Sequence, residues 1–456
     1  MQRHKPIKLM IPELLKLNLD QYLKQIEPGF KYDIFYFYYL INFIVRNQLK
    51  AKNKEYIYIN LKHLRKSTVY NIDSYLKILK NGEFLITNKR YIPGHLPFGY
   101  KINPKFYNSN IATFELKPNH KLFHKILSGI KNKKAHYNRS EPFIKSMRKE
   151  FMHLDFNYNA ANEWIKSQLP EKQYYYQFSM EQLKDKRFRY FNRNNTNKRL
   201  DTNLTNLKSD LKQFIIGDYI SIDLKNSQPF ILSLLIDTII NKSKNSKIKY
   251  LRYEFLLKEF GIKPLKKIAE LYKNNKLNYS DNFKLYKSST LKGTFYDDFI
   301  GLYSGNMQRK QVKDIMFKVL FSSNVFYKEH KKIIPYEKEK QVFRKAYPFV
   351  YSVIEILKEK QYNKLAIILQ KIESSIFIDN ISKRLTEESI TPLTIHDSLI
   401  VKSKHKNKTT QIIRAFFLFY FNLKPNFHIK NLNNKDKNKV IYLYDAEKFK
   451  KQNTNI

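Results

Sequence analysis

The alternation of apolar and polar positions divides the chain into segments of different period. Residues 33–46, DIFYFYYLINFIVR, are apolar nearly throughout and predict a helix with a wide buried face. IYINLKHLRKS, 57–67, predicts a short strand that runs into a helix. In NIDSYLKILKNGEFLI, Ile72, Tyr75, Leu76 and Leu79 recur at helical spacing, and Gly82 marks the stop. FLITNKRYIPGHLPFGYKI predicts a two-stranded ribbon, with Pro93, Gly94, Pro97 and Gly99 near its tip. From about 110 to 190 the pattern is helical and basic. In DYISIDLKNSQPFILSLL, 218–235, Ile220 and Ile222 flank Ser221 in a short strand that ends at Asp223. Pro229 suits the first turn of the apolar helix behind it. In TPLTIHDSLIV, 391–401, Leu393 and Ile395 alternate, His396–Asp397 interrupt, and Leu399 and Val401 resume. That is a tight hairpin with an acid at its tip. Between the two, RKQVKDIMFKVLFS, 309–322, predicts a helix with Arg309, Lys313, Phe317 and Phe321 on one face.

The order helix, helix, helix, ribbon over 33–103 resembles a winged helix. Its second helix, with Arg65, Lys66 and Ser67, is expected to lie toward a DNA groove; a small α/β domain for protein contacts has the same pattern. Three Lys/Asn-rich stretches, 241–248, 402–409 and 431–439, read as solvated surface loops.

Charge narrows the partners. The 456-residue chain carries 85 Lys+Arg against 40 Asp+Glu, a formal +45, which favours a polyanion and speeds its capture. Codon bias alone yields part of this, since Lys, Asn, Ile and Tyr are all abundant. With 42% hydrophobic residues the chain can build sizeable cores, as two or three domains. A membrane surface is the other polyanion option; no run approaches ~18 consecutive apolar residues, so no spanning helix is expected, and the expected partner is nucleic acid, not membrane. MQRHKPIKLM lacks the apolar stretch of a secretory signal. The absence of cysteine excludes disulfides and thiol catalysis and fits a reducing cytoplasm.

The two acids carry the chemistry. A carboxylate at the end of a buried strand, aimed at a helix start, suits a metal ligand; alone, such an Asp is more often a turn or helix cap. Two acids on neighbouring strands can hold two divalent cations roughly 3.5–4 Å apart, the arrangement that phosphoryl transfer needs. The 309–321 stripe adds cations at one end and aromatics at the other, about 18 Å apart at ~1.5 Å per residue. An incoming nucleotide has the same polarity, with phosphates for Arg309 and Lys313 and a base for Phe317 and Phe321. An amphipathic helix with two core phenylalanines gives the same pattern.

In order, strand–Asp223, R-x3-K-x3-F-x3-F and His396–Asp397 resemble motifs A, B and C of the family A DNA polymerases and of their relatives, the single-subunit phage-type RNA polymerases. Thr196-Asn197-Lys198-Arg199-Leu200, followed by Asn203-Leu204-Thr205-Asn206-Leu207, is similar to the segment that precedes motif A in that family. LAIILQKIESSIFIDNI, 365–381, is similar to the helix before motif C, with Gln370 at its glutamine. The resemblance spans about 195–401. It implies metal ligation by Asp223, Asp397 and the Leu224 carbonyl, with two Mg2+ ions or Mn2+ in their place. It implies triphosphate binding by Arg309 and Lys313, with Lys313 a candidate acid for the pyrophosphate. It implies primer or minor-groove contacts from Arg199, His396 and Gln370. Gln228 stands where DNA polymerases of the family carry a Glu that screens out the ribose 2′-hydroxyl. Two further departures are Phe321-Ser322 where motif B closes on Tyr-Gly and Ser398 after His396–Asp397 as in the RNA polymerases; Phe317 and the Arg199 segment, by contrast, match the DNA polymerases.

The expected fold is therefore α+β, a right-hand polymerase of palm, fingers and thumb behind an N-terminal winged-helix-like domain. The expected division is 1–110 winged-helix-like, 111–194 helical and thumb-like, 195–240 palm, 241–345 fingers, and 346–456 palm and tail. The expected activity is DNA-directed DNA synthesis on a primed template from nucleoside triphosphates, in the replication of a phage or mobile element. A single-subunit RNA polymerase or primase is the alternative, and a non-catalytic initiator that clamps DNA is the second. No Walker motif or HExxH occurs. The D-x-E of Asp445 and Glu447 lies at the far C-terminus rather than in the N-terminal half, so no proofreading is expected.

Overall fold

The computed structural model describes residues 5–50, 56–88, 98–107, 109–135, 141–244, 246–273, 279–302, 307–328, 331–432 and 441–442. It is α+β, mostly helical with small antiparallel sheets. The chain forms two compact units. One holds residues 1–141, 155–190 and 206–216; the other holds 142–154, 191–205 and 217–456.

In the first unit, strand β1 (Ile7–Pro12) comes first, and helices Glu13–Gln25 and Ile34–Lys50 follow. Then come β2 (Ile57–Tyr58), helices Leu61–Ser67 and Ile72–Asn81, β3 (Leu85–Thr87), β4 (Gly99–Ile102) and β5 (Ile111–Leu116). β2, β4 and β3 form an antiparallel sheet in that order. The periodic residues meet as the pattern requires. Phe37, Leu40, Ile41 and Ile44 share one buried cluster with Ile72, Tyr75, Leu76 and Leu79. The Gly82 N–H bonds the Ile78 carbonyl at the helix end, and a Cβ there would collide with the Phe84 ring. Pro93, Gly94 and Pro97 lie outside the described residues.

The units divide the chain differently from a break at 110. β5 pairs along its whole length with β1, from Ile7↔Leu116 to Pro12↔Ile111, so 111–116 completes the N-terminal unit. Helix Pro142–His153, from the expected thumb-like stretch, belongs with the second unit. Arg65 is a partly exposed side chain with partners in its own module. It pairs with Asp73 at 3.2 Å and lies 5.7 Å over the Tyr70 ring, while Ser67 Oγ donates to the His63 and Leu64 carbonyls. The exposed cations beside it are Lys62 and Lys66 and, on the next helix, Lys77 and Lys80.

The second unit contains the hairpin β6 (Phe191–Arg193) and β7 (Leu200–Thr202), and then β8 (Tyr219–Leu224). After β8 come a long helical stretch, a small ribbon of β9 (Phe326–Lys328) and β10 (Lys331–Ile333), and the strands β11 (Leu393–Ile395), β12 (Ser398–Lys402), β13 (Phe427–Asn431) and β14 (Ile441–Tyr442). Its main sheet has the order β11-β12-β8-β13-β14. β8 is central, and Tyr219 to Ile222 are buried without alternation because the strand is covered on both faces. Helices Ser227–Ile240 and Pro348–Lys358 and the 364–387 helix fill the core beside it.

Two stretches depart from the loop expectation. Residues 402–409 end β12, make one 3-10 turn and open the helix Lys406–Phe421. The apolar run IIRAFFLFYF behind them supplies the burial that draws the Lys/His run into a helix start. Of 431–439, Asn431 closes β13, and the residues beyond Leu432 lie outside the described ones, as do Asp445 and Glu447. Among the described residues no helix is long and apolar enough to cross a membrane.

Candidate active site

The two acids meet at the head of β8. Asp223 sits directly across from Ser398 on β12 and from His428 on β13. The β11–β12 hairpin turns on two residues, with Ile395↔Ser398 as its last pair. The turn places His396 at φ 57°, a left-handed conformation that His tolerates better than branched residues do. Asp397 therefore lies one residue from the partner of Asp223, and the Leu224 N–H donates to the Asp397 carbonyl at 3.4 Å. Paired Cα atoms in such a ladder are about 4.5–5.5 Å apart, so Asp397, next to the partner of Asp223, is a close neighbour whose carboxyl feels the Asp223 charge.

The electrostatics are those of crowded negative charge. Burial, then the Glu373 and Asp223 charges, push the Asp397 carboxyl up to about 7, against its own backbone N–H and Arg199. Asp223 is better compensated. It accepts from Ser221 Oγ at 3.0 Å and lies 3.4 Å from Lys430 Nζ, and Ser221 Oγ also meets Ser398 Oγ at 2.6 Å. A divalent cation between the acids would reverse this strain. The donors present, two carboxylates and the Leu224 carbonyl, are hard oxygens, and they leave positions for phosphate oxygens and water, which suits Mg2+. Among the described residues no three His, Cys, Asp or Glu side chains form a metal cage.

A basic group faces the acids. Burial lowers the His428 pKa, the neighbouring Asp223 opposes the shift, and Lys430, Lys225 and Arg309 add to it. Burial also lowers that of Lys225, and Arg309 adds to the shift. Tyr296 connects the two sides. Burial and then the Asp397 charge push its hydroxyl up to about 12, and Arg309 pulls it down. Arg309 itself lies 5.7 Å over the Tyr296 ring and 3.8 Å from Asp297. The basic end of helix Arg309–Phe321 is thus within electrostatic reach of the groups around the carboxylates.

The rest of that helix divides cleanly. Val312, Ile315, Met316, Val319 and Leu320 are buried, whereas Arg309, Lys313 and Phe317 are exposed, Phe317 by 42%. Phe317 and Phe321 stack with centroids 5.5 Å apart. Arg309, Lys313 and Phe317 form a surface, while Phe321 is half-buried and packs against the core. The opposite end of the helix is anchored from inside. Lys358 Nζ donates to the Val319 carbonyl at 2.7 Å, and Lys340 Nζ to the Ser323 carbonyl at 2.6 Å. Cations at a helix C-terminus complement its dipole and its open carbonyls.

Glu373 organises the remaining residues. It is 1% exposed and sits three residues past Gln370 in the 364–387 helix, which relaxes into a π-helix over Ser375–Ser382. Its carboxylate takes Arg199 Nε at 2.8 Å and Nη2 at 2.9 Å, Gln228 Nε2 at 2.5 Å and Ser227 Oγ at 3.4 Å. Asn197 Nδ2 donates to Gln370 Oε1 at 3.0 Å, so the 196–200 segment is laid along this helix.

The structure thus brings Asp223, Leu224, Asp397, Arg199 and Gln228 into one neighbourhood, with Arg309 electrostatically coupled to it. His396 is exposed at the hairpin tip, and Lys313, Phe317 and Phe321 lie farther along their helix. Gln370 is engaged with Asn197. The sequence pattern did not single out Glu373, Tyr296, Lys225, His428 or Lys430. The last two were findable, since FHIKN alternates buried Phe427 and Ile429 with polar His428 and Lys430.

No protein-family model matches the chain. No curated protein matches it. Among solved structures, the chain is similar to the POL domain of Pol1 from M. smegmatis in complex with DNA primer-template and dNTP. The sequence identity is 12%, the TM-score 0.25, and the match covers 58% of this chain and 51% of that one. The chain thus spans about half the length of that structure.

Proposed function

We propose that the chain catalyses template-directed nucleotidyl transfer at Asp223 and Asp397, as a distant relative of the family A polymerases. The observation that supports this reading is the pairing of Asp223 with Ser398, the neighbour of Asp397, with Arg309 electrostatically coupled to the groups around the two acids. Asp223, Asp397 and the Leu224 carbonyl would hold two Mg2+ ions or Mn2+. Bound there, the ions would lower the pKa of an attacking primer hydroxyl and neutralise the departing pyrophosphate. Arg309 and Lys313 would bind the triphosphate oxygens, and Lys313 would give a proton to the leaving pyrophosphate. Phe317 and Phe321 offer a stacking surface to the base. Arg199 is oriented by Glu373 through Nε and Nη2, which leaves Nη1 for the primer end. His396 and Gln370 would border the nascent duplex.

In the first unit, the helix–strand–helix–helix–strand–strand order with its β2-β4-β3 sheet supports a winged-helix-like duplex-binding module. Both of its helices offer exposed lysines to a duplex, Lys62 and Lys66 on Leu61–Ser67 and Lys77 and Lys80 on Ile72–Asn81.

Primer extension on a DNA template with Mg2+ tests the activity. The wild type should extend, and Asp397→Ala should bind the same template and not extend. If neither protein extends while both bind, the chain is a DNA clamp with a silent palm. DNA synthesis is the first product reading, on the similarity of the Arg199 segment and Phe317 to the DNA polymerases. RNA synthesis is the second, favoured by the state of Gln228.

A further inference from the structure

The first unit contains a cavity of about 580 Å3, lined by residues of β1, of helix Ile34–Lys50, and of helix Pro170–Lys184 and the turn behind it. Tyr39, Asn42 and Arg46 all line it. They are spaced i, i+3 and i+7, so one face of the Ile34–Lys50 helix carries them. Asn42 is answered within the fold, since its Nδ2 donates to the Met10 carbonyl at 2.9 Å. Arg46 is not. Its guanidinium lies 5.6 Å over the Phe178 ring, and among the described residues no carboxylate or carbonyl accepts from it. Burial lowers the Arg46 pKa, and the phenols of Tyr39 and Tyr190 oppose the shift, not a carboxylate.

Two other arginines of the same unit show what a structural role looks like. Arg187 bonds both Asp185 oxygens and the Lys5 and Pro6 carbonyls. Arg189 donates to the Leu183 carbonyl and the Tyr158 hydroxyl. A guanidinium stays charged in a protein and carries five N–H donors, so Arg46 brings an unanswered charge to the cavity. The rest of the lining leans the same way. Lys8 pairs with Glu181 at 3.4 Å, and Arg187 pairs with Asp185. Outside those two pairs, Lys5, Arg46, Lys184 and Lys186 face the single acid Glu115. Tyr39, Phe178, Phe188 and Ile126 supply an aromatic and apolar wall.

We propose that this cavity binds a nucleoside monophosphate, with the phosphate on Arg46 and the base among Tyr39, Phe178 and Phe188. The site is built from first-unit residues alone and shares none with Asp223 and Asp397, so the inference stands apart from the nucleotidyl-transfer reading. A phosphomonoester carries about −1.5 to −2 charges at pH 7, which matches an excess of more than one cation. The Arg46 fork suits two phosphate oxygens, and a Phe ring packed on a guanidinium face leaves the N–H edge open. The volume falls in the range of small-molecule sites, roughly 300–1,000 Å3, far more than a bare phosphate fills. A flat base is the apolar group that such an aromatic wall holds best.

Isothermal titration calorimetry of the full chain with AMP, GMP, CMP and UMP in EDTA tests the site, because the chelator silences metal-dependent binding at the two acids. At least one of the four should bind one per chain, about tenfold or more tightly than ribose 5-phosphate or inorganic phosphate, as for one stacked base. The matching nucleoside, without phosphate, should bind about tenfold or more weakly. Arg46→Gln should weaken the nucleotide by about tenfold or more, and Arg46→Lys, which keeps the charge and loses the fork, should weaken it as well. Arg309→Ala should leave it within about twofold of the wild type, as for a contact that is absent. Arg46→Gln should melt no lower than the wild type, since it removes an uncompensated charge; should it unfold, Arg46→Lys carries the same test. Nucleotides bound no better than ribose 5-phosphate or inorganic phosphate would mean a diffuse basic field. Unchanged affinity in the Arg46 variants would place the ligand elsewhere. Either result overturns the site and leaves the polymerase reading untouched.

Discussion

Two groups of buried charge in the second unit contrast sharply. Lys340 and Lys358 are 3% and 2% exposed, and each ammonium ends on backbone carbonyls at the C-terminal end of helix Arg309–Phe321. Asp223, Asp397 and Glu373 lie at the head of β8, where charge repels charge and three nearby amide atoms have no partner. A buried charge with a structural role is terminated by the protein itself. The acids are only partly terminated, by Lys430 and Arg199, and the remainder is the signature of a site that expects something from solution. Removing a lysine should therefore cost stability, and removing an acid should cost activity.

The largest effect tests the acids. If the two acids hold the metals as proposed, Asp223→Ala and Asp397→Ala should each lower nucleotide incorporation by about a thousandfold or more, because charge stabilisation would do most of the work there. Their melting temperatures without metal should stay level or rise, since repulsion is relieved. A comparable fall in melting temperature for Asp397→Ala would erase the contrast.

On the other side, Lys358→Ala should lower unfolding free energy by about 2–4 kcal/mol in denaturant titration, from a lost buried stem and an orphaned Val319 carbonyl. Nucleotide incorporation at saturating substrate should persist wherever the protein stays folded.

pH sharpens the comparison because the two groups respond oppositely. Asp397 is raised from 3.8 to about 7, so the folded state holds its proton more tightly than the unfolded state. Its contribution to stability is complete below pH 4 and is lost as pH rises toward 7. Lys358 is lowered from 10.5 to about 7, chiefly by burial, so its penalty is complete below pH 7 and fades as pH rises toward 10. In the proposed site Mg2+ would compete with the proton at Asp397. Added Mg2+ should therefore raise the melting temperature by a few degrees more at pH 8 than at pH 5, and Asp397→Asn should abolish that difference. Equal Mg2+ stabilisation at both pH values would place the ion elsewhere.

The smallest effect is on substrate capture. Arg309→Ala and Lys313→Ala should raise the triphosphate KM by about tenfold each, as for lost charge-assisted contacts to phosphate. Lys310→Ala, a change in an exposed cation off the stripe, should leave it within about twofold. Equal effects at all three positions would mean a diffuse field rather than a binding face.

What the sequence made legible follows period and turn chemistry. The strand at Asp223, the hairpin at His396–Asp397 and the helix at Arg309 were readable because each has a clean hydrophobic period and a definite end. Glu373 was not, because a helical Glu between Ile372 and Ser374 reads as a solvated residue. Only the fold shows that it is buried against Arg199 and Gln228. His428 and Lys430 were missed because β13 is a five-residue strand in a polar region, and its pairing with β8 is 200 residues distant in sequence (His428↔Asp223 is separated by about that much). The N-terminal helices were readable from period, but the β1–β5 ribbon that ties 111–116 to the chain start was not, since long-range pairing leaves no local mark.

The central claim is that Asp223 and Asp397 share a pair of cations. Crystals of the chain with a primed template, a non-hydrolysable nucleoside triphosphate and Mn2+, with the metal located by its anomalous signal, test it most directly. The account predicts two peaks bridged by these carboxylates, about 3.5–4 Å apart, with the triphosphate running toward Arg309. Metal bound away from the two acids, or a triphosphate seated where neither acid reaches its metal, would contradict it.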